Sequence, residues 1–119
     1  MARILLAEDD NSMRTFLARA LERAGYEVHA VGDGISAMTA LMSNRFDLLV
    51  ADIVMPGMDG IELARRVGLV HPHLRVMLIT GFAALVLQAR QSTPSSTRVF
   101  TKPIHLRDLV NQVDEVLAA

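Results

Sequence analysis

A chain of 119 residues, 51% hydrophobic and 21% charged, can bury one core without staples and is too apolar to stay disordered. Twelve basic against 13 acidic residues leave a formal net charge of −1, which gives no electrostatic footprint for nucleic acid or an anionic membrane. The absence of cysteine excludes disulfides, thiolate catalysis and cysteine-ligated zinc. Met1-Ala2-Arg3-Ile4 enters a strand pattern directly, without signal-peptide anatomy. The longest mostly apolar stretch, 76–87, contains Thr80 and Gly81 and is too short to span a bilayer. The expectation is one cytoplasmic domain over residues 1–119.

In chain order, Ile4 to Ala7 form a short apolar strand that runs into Glu8-Asp9-Asp10. Asn11 or Ser12 can cap the helix that follows, whose apolar face is Met13, Phe16, Leu17, Ala20, Leu21 and Ala24. Gly25 ends it. Glu27 to Val31 is a second strand, closed by Gly32-Asp33-Gly34. Ile35, Ala37, Met38, Leu41 and Met42 predict a second helix, running to about Asn44. Leu48 to Ala51 is an unbroken apolar run, the mark of a strand covered on both faces, and it delivers Asp52 to a loop broken by Pro56, Gly57 and Gly60. Asp59 suits the start of a third helix marked by Ile61, Ala64, Val67 and Val70 and broken by Pro72. Val76 to Ile79 is a fourth strand ending at Thr80-Gly81, and a fourth helix covers Ala83 to Arg90. After the linker-like 92–97, Val99-Phe100-Thr101 is a last strand ending at Lys102-Pro103. The final helix carries Leu106, Leu109, Val110, Val113, Val116 and Leu117 on one face.

Strand and helix alternate five times, which implies an α/β, doubly wound, five-stranded parallel sheet with helices on both faces. In such sheets ligands bind at the carboxyl ends of the strands. Those ends present Glu8-Asp9-Asp10, Asp52, Thr80 and Lys102. Grouped carboxylates repel one another, and an all-oxygen acidic cluster suits a hard divalent cation such as Mg²⁺. With Mg²⁺ and the Lys102 ammonium nearby, Asp52 stays ionised and can attack phosphorus as a nucleophile.

The runs Ile4-Leu5-Leu6-Ala7-Glu8-Asp9, 52–60, Thr80-Gly81 and Lys102-Pro103, in that order, resemble the response-regulator receiver domain of bacterial two-component systems. The resemblance spans the chain and implies the (βα)5 flavodoxin-like fold with strand order 2-1-3-4-5. It implies that Asp52 accepts a phosphoryl group from a histidine kinase or histidine phosphotransferase. Asp9 would then ligate Mg²⁺ directly, Glu8 through water, and the Val54 carbonyl would complete the site. Thr80 and Lys102 would each bond a phosphoryl oxygen, Thr80 swinging inward on activation. One departure stands out. The switch aromatic usual three residues before the lysine is Val99 here, and strand alternation turns Phe100 to the other face. The stretches 79–84 and 102–110 are similar to the stand-alone CpdR type of receiver. That similarity implies a protein-binding output: a phosphorylation-controlled adaptor, active unphosphorylated, that prepares substrates for the ClpXP protease through its ClpX unfoldase.

Plainer readings stand beside these. Glu8-Asp9-Asp10 alone could be a solvated turn and helix cap. The four histidines lack metal-ligand spacing, and His105 is a contact at most. Leu85, Val86 and Leu87 are consecutive and cannot all face the sheet, so at least one is exposed, on either a partner surface or a loosely packed helix. The end of the chain, Leu117-Ala118-Ala119, resembles tails that ClpXP recognises. With no effector domain expected, a transcription factor is disfavoured. A phosphorelay intermediate or chemotaxis-type regulator remains, as does an aspartyl-phosphate phosphatase, which usually has a second Asp where Val54 stands.

Overall fold

All five apolar runs are parallel strands of one sheet. The computed structural model describes residues 1–118, so the Ala119 end of the tail lies outside the described residues. The order is β1 (Arg3–Ala7), α1 (Asn11–Arg23), β2 (Glu27–Val31), α2 (Gly34–Ser43), β3 (Leu48–Asp52), α3 (Gly60–Val70), β4 (Arg75–Thr80), α4 (Ala83–Ser92), β5 (Arg98–Thr101) and α5 (Leu106–Ala118). The strands lie in the order β2-β1-β3-β4-β5, as expected. Parallel register sets Ala7 beside Ala51, Asp52 beside Ile79 and Thr80 beside Thr101, so the polar strand ends arrive together at one edge.

Because successive strand side chains point to opposite faces, the sheet divides its apolar residues between two cores. Leu5, Ala7, Leu49, Ala51, Leu78 and Val99 face α2, α3 and α4, where Ala37, Leu41, Leu63, Val67 and Ala89 meet them. Ile4, Leu6, Leu48, Val50, Met77 and Ile79 face α1 and α5, against Leu17, Leu21, Leu109, Val113 and Val116. Five residues expected on apolar helix faces are exposed instead: Phe16, Ala24, Ile35, Met42 and Val70. Each stands next in sequence to a residue that turns inward or lies at a helix end, and a ~100° step per residue carries it off the buried stripe. Leu63 is fully buried in α3, although the spacing did not mark it.

The helix starts show a second difference. α1 is capped by Asp10, whose Oδ1 accepts from the Met13 N–H at 2.8 Å, not by Asn11 or Ser12. An Asp one residue before the helical backbone presents its carboxylate to the free amide groups of the first turn. The same device recurs at Asp33 for α2 and at Asp59 for α3. Asp59 is thus a helix cap, as its position suggested. Among the described residues no helix is long and apolar enough to cross a membrane.

Candidate phosphoacceptor and cation site

The two-sided burial of β3 carries Asp52 to the sheet edge and leaves its side chain only 10% exposed. Lys102, one residue beyond β5, reaches across to it: Nζ lies 2.9 Å from Asp52 Oδ2 and 3.1 Å from Glu8 Oε1. Its backbone is held too, since the Lys102 N–H donates to the Thr80 carbonyl at 2.7 Å. The Lys102–Pro103 peptide bond is cis. Carboxylate oxygens of Glu8, Asp9 and Asp52 all lie within 4.8 Å of one another. Glu8 is buried and Asp9 exposed, so the group opens to solvent on the Asp9 side.

The third acid of the β1 turn has a different task. Asp10 caps α1, and its N–H donates to Glu8 Oε2 at 3.2 Å, which steadies the neighbouring carboxylate. Burial pushes the Glu8 carboxyl above its ordinary value; the Asp10 N–H opposes the shift, the nearby Asp52 charge adds to it, and Lys102 pulls against it. For Lys102, burial alone would lower the pKa, but the hydrogen bonds to Asp52 and Glu8 outweigh it and the ammonium is held above its usual range. A buried carboxyl in this state takes up a counter-charge readily. Three carboxylates with one open side form an all-oxygen donor set that fits a hard cation retaining several waters.

Close backbone packing positions the loop after Asp52. The Gly60 N–H donates to the Ile53 carbonyl at 2.8 Å, and a Cβ at Gly60 would stand 2.5 Å from the Asp52 carbonyl oxygen. Only glycine allows α3 to begin that near the strand end. Within the loop, Val54 is 47% exposed and its N–H donates to Asp52 Oδ1 at 3.2 Å. Thr80 is completely buried at the end of β4, and its Oγ1 accepts from the Phe82 N–H at 3.1 Å.

The remaining expected residues lie farther along the same half of the molecule. Val99 is buried in the core beneath α4, while Phe100 packs toward α1 and α5, as strand alternation required. No aromatic from β5 therefore faces Thr80's side of the sheet. Leu85 and Val86 are half-buried against the first core and Leu87 is 62% exposed. His105 is exposed, and its carbonyl accepts from the Leu109 N–H in the first turn of α5. Arg14 was not singled out from the sequence. Its guanidinium donates to the Glu8 carbonyl at 2.8 Å, a contact that leaves no mark in apolar periodicity.

Residues 4–114 match the response regulator receiver domain family. A response regulator receiver protein CpdR from Brucella abortus is 55% identical over 119 residues, covering all of this chain and 99% of that protein. A DNA-binding transcriptional regulator NtrC from Azospirillum brasilense is 31% identical over 98% of this chain, which spans only 24% of that longer protein. Among solved structures, the response regulator TrrA of Thermotoga maritima, in complex with Mg(2+)-BeF, superposes with a TM-score of 0.88 at 25% identity over 98% of this chain and 99% of that one. The chemotaxis response regulator CheY4 of Vibrio cholerae gives 0.87 at 26% identity, with 98% of each chain covered.

Proposed function

The chain belongs to the response-regulator receiver family, and on that premise we propose that Asp52 is the phosphoacceptor of a stand-alone CpdR-like regulator. The observation that carries the reading is the contact of Lys102 Nζ with Asp52, made inside a group of three carboxylates. Asp52 attacks the phosphorus of a phosphohistidine on a kinase or phosphotransferase. The P–N bond breaks as the P–O bond forms, and the histidine leaves as neutral imidazole once protonated. Lys102 turns from the carboxylate to an incoming phosphoryl oxygen. Thr80, whose oxygen already accepts from Phe82, keeps its hydroxyl proton for a second phosphoryl oxygen. Asp9, Asp52, Glu8 through water and the Val54 carbonyl would hold Mg²⁺, which would supply the positive charge that lets a phosphoryl group approach a carboxylate-lined edge.

Phosphotransfer from a phosphohistidine donor to wild type and to Asp52→Ala tests this. Labelling of wild type alone, and only with Mg²⁺, is expected; equal labelling of both chains overturns it.

The output we infer is a cytoplasmic protease adaptor, competent when unphosphorylated and engaging the ClpX unfoldase. Its support is the end-to-end similarity to CpdR, together with the stretches 79–84 and 102–110. Val99, Leu85, Val86, Leu87 and His105 line the half of the molecule through which Thr80 would be read. Pull-down from cell lysate in the presence and absence of beryllofluoride, an acyl-phosphate mimic, with bound proteins identified by mass spectrometry, checks this output. Recovery of ClpX without the mimic alone is expected, whereas recovery of a phosphotransferase and no unfoldase would assign the chain to a relay.

A further inference from the structure

Arg14 is a second cation close to the site, and it meets the acidic turn differently from Lys102. It sits in the first turn of α1 and reaches back six residues, Nη1 donating to the Glu8 carbonyl at 2.8 Å and Nη2 to the Asn11 carboxamide oxygen. The Glu8 carbonyl lies just beyond Ala7, the last β1 residue paired with strands on both sides. A backbone carbonyl leaving the ladder still needs a donor, and here a side chain supplies it. Gly32, one residue past the end of β2, lies against the same nitrogen: a Cβ there would stand 3.2 Å from Arg14 Nη1, so the guanidinium would have to give by a few tenths of an ångström, and a branched side chain would crowd it further. The Glu8 N–H is tied to the same strand end, donating to the Val31 carbonyl at 3.0 Å.

We propose that Arg14, seated against Gly32, is a positioning residue for the divalent-cation site: it fixes the Glu8 carbonyl and thereby the directions in which the Glu8 and Asp9 carboxylates leave the turn. The inference rests on the cation-site reading above. Arg14 bonds a carbonyl and a carboxamide, so it acts through the shape of the turn, whereas Lys102 neutralises the carboxylates directly. Groups that orient metal ligands from one bond away typically change affinity by about 10- to 100-fold when removed.

The test is a paramagnetic titration of Mn²⁺, standing in for Mg²⁺, against wild type, Arg14→Met, Arg14→Lys, Gly32→Val and the Arg14→Met/Gly32→Val pair. Urea unfolding of each reports that it is folded. Arg14→Met is expected to bind Mn²⁺ about 10-fold more weakly. Gly32→Val should weaken binding in the same direction, add nothing in the Arg14→Met background, and Arg14→Lys should recover part of the loss. Phosphorylation of Arg14→Met should approach the wild-type rate at saturating Mg²⁺, because Asp52 and Lys102 are untouched. Unchanged affinity in folded Arg14→Met, no recovery in folded Arg14→Lys, or additive losses in the pair, would overturn the proposal. Failure of wild type itself to bind Mn²⁺ would instead remove the cation-site reading on which it stands.

Discussion

Helices α4 and α5 cover the same β4–β5 edge of the sheet from opposite faces, and they are held very differently. α5 buries Leu109, Val113 and Val116 and packs Leu106, Val110 and Leu117 around them. α4 buries Ala89 alone, packs Leu85 and Val86 half-buried beside it, leaves Leu87 exposed, and starts at Phe82 without the side-chain cap that α1, α2 and α3 share. The approaches to the two helices differ in the same sense. The Lys102 side chain, before α5, is tied to two carboxylates; the Thr80 side chain, before α4, has one bond, accepted from the Phe82 N–H. Few buried contacts and an uncapped end mean a low free energy of local displacement. Of the two helices, α4 is therefore the one displaced at the lower free energy, and α5 is the fixed frame beside it.

Deleting core volume from the anchored helix should have the largest effect. Leu109→Ala is expected to lower unfolding free energy by about 2–5 kcal/mol in urea titrations followed by circular dichroism. A loss below about 1 kcal/mol would mean that α5 is no better anchored than α4. Next comes Lys102→Met, which leaves Glu8 and Asp52 facing each other without their cation. It should cost about 1–3 kcal/mol, and added Mg²⁺ should recover more stability in this variant than in wild type.

The Tyr26 hydroxyl donates to Asp114 of α5, a further tether that α4 lacks. Burial, then the bond to Asp114 and its charge, push the Tyr26 phenol up to about 12. A folded-state pKa raised above the unfolded value near 10 stabilises the protein fully below about pH 10, and that stability is lost as pH rises through about 12. Lys102, also raised, contributes with the same sign in the alkaline range. Tyr26 is the one tyrosine in a chain without tryptophan, so absorbance near ~295 nm follows it alone. Asp114→Asn should bring the midpoint back toward about 10 and cost about 1 kcal/mol at neutral pH. An unmoved midpoint would remove this tether from the comparison. The smallest effect is expected at Leu87→Ala, within about 0.5 kcal/mol of wild type, because its side chain has little contact to lose. Amide exchange checks the same contrast without mutation: α4 should open at lower free energy than α5, and equal protection would break it.

How much of this could be read beforehand depends on the kind of interaction. The strands were legible because Leu48 to Ala51 and Ile4 to Ala7 are unbroken apolar runs, and parallel order follows from strict alternation with helices. Helix faces were less legible. Phe16, Ile35 and Met42 fit the helical period, yet each stands a ~100° step from a neighbour that turns inward, and they remain in solvent. The cap of α1 lies one residue before Asn11 and two before Ser12, because three acids in a row offer no local reason to separate the capping carboxylate from the other two.

Local period and one topological rule are enough to read from the chain the alternation, the parallel sheet, which strand ends carry charge, and the opposite facing of Val99 and Phe100. Only the tertiary structure decided that Asp10 serves a helix while Glu8, Asp9 and Asp52 gather within 4.8 Å, that Lys102 spans two of them, and that Arg14 closes on the Glu8 carbonyl. Those facts join residues as many as 94 positions apart, or depend on the turn of a single loop. Neither separation nor loop geometry leaves a periodic trace in the chain.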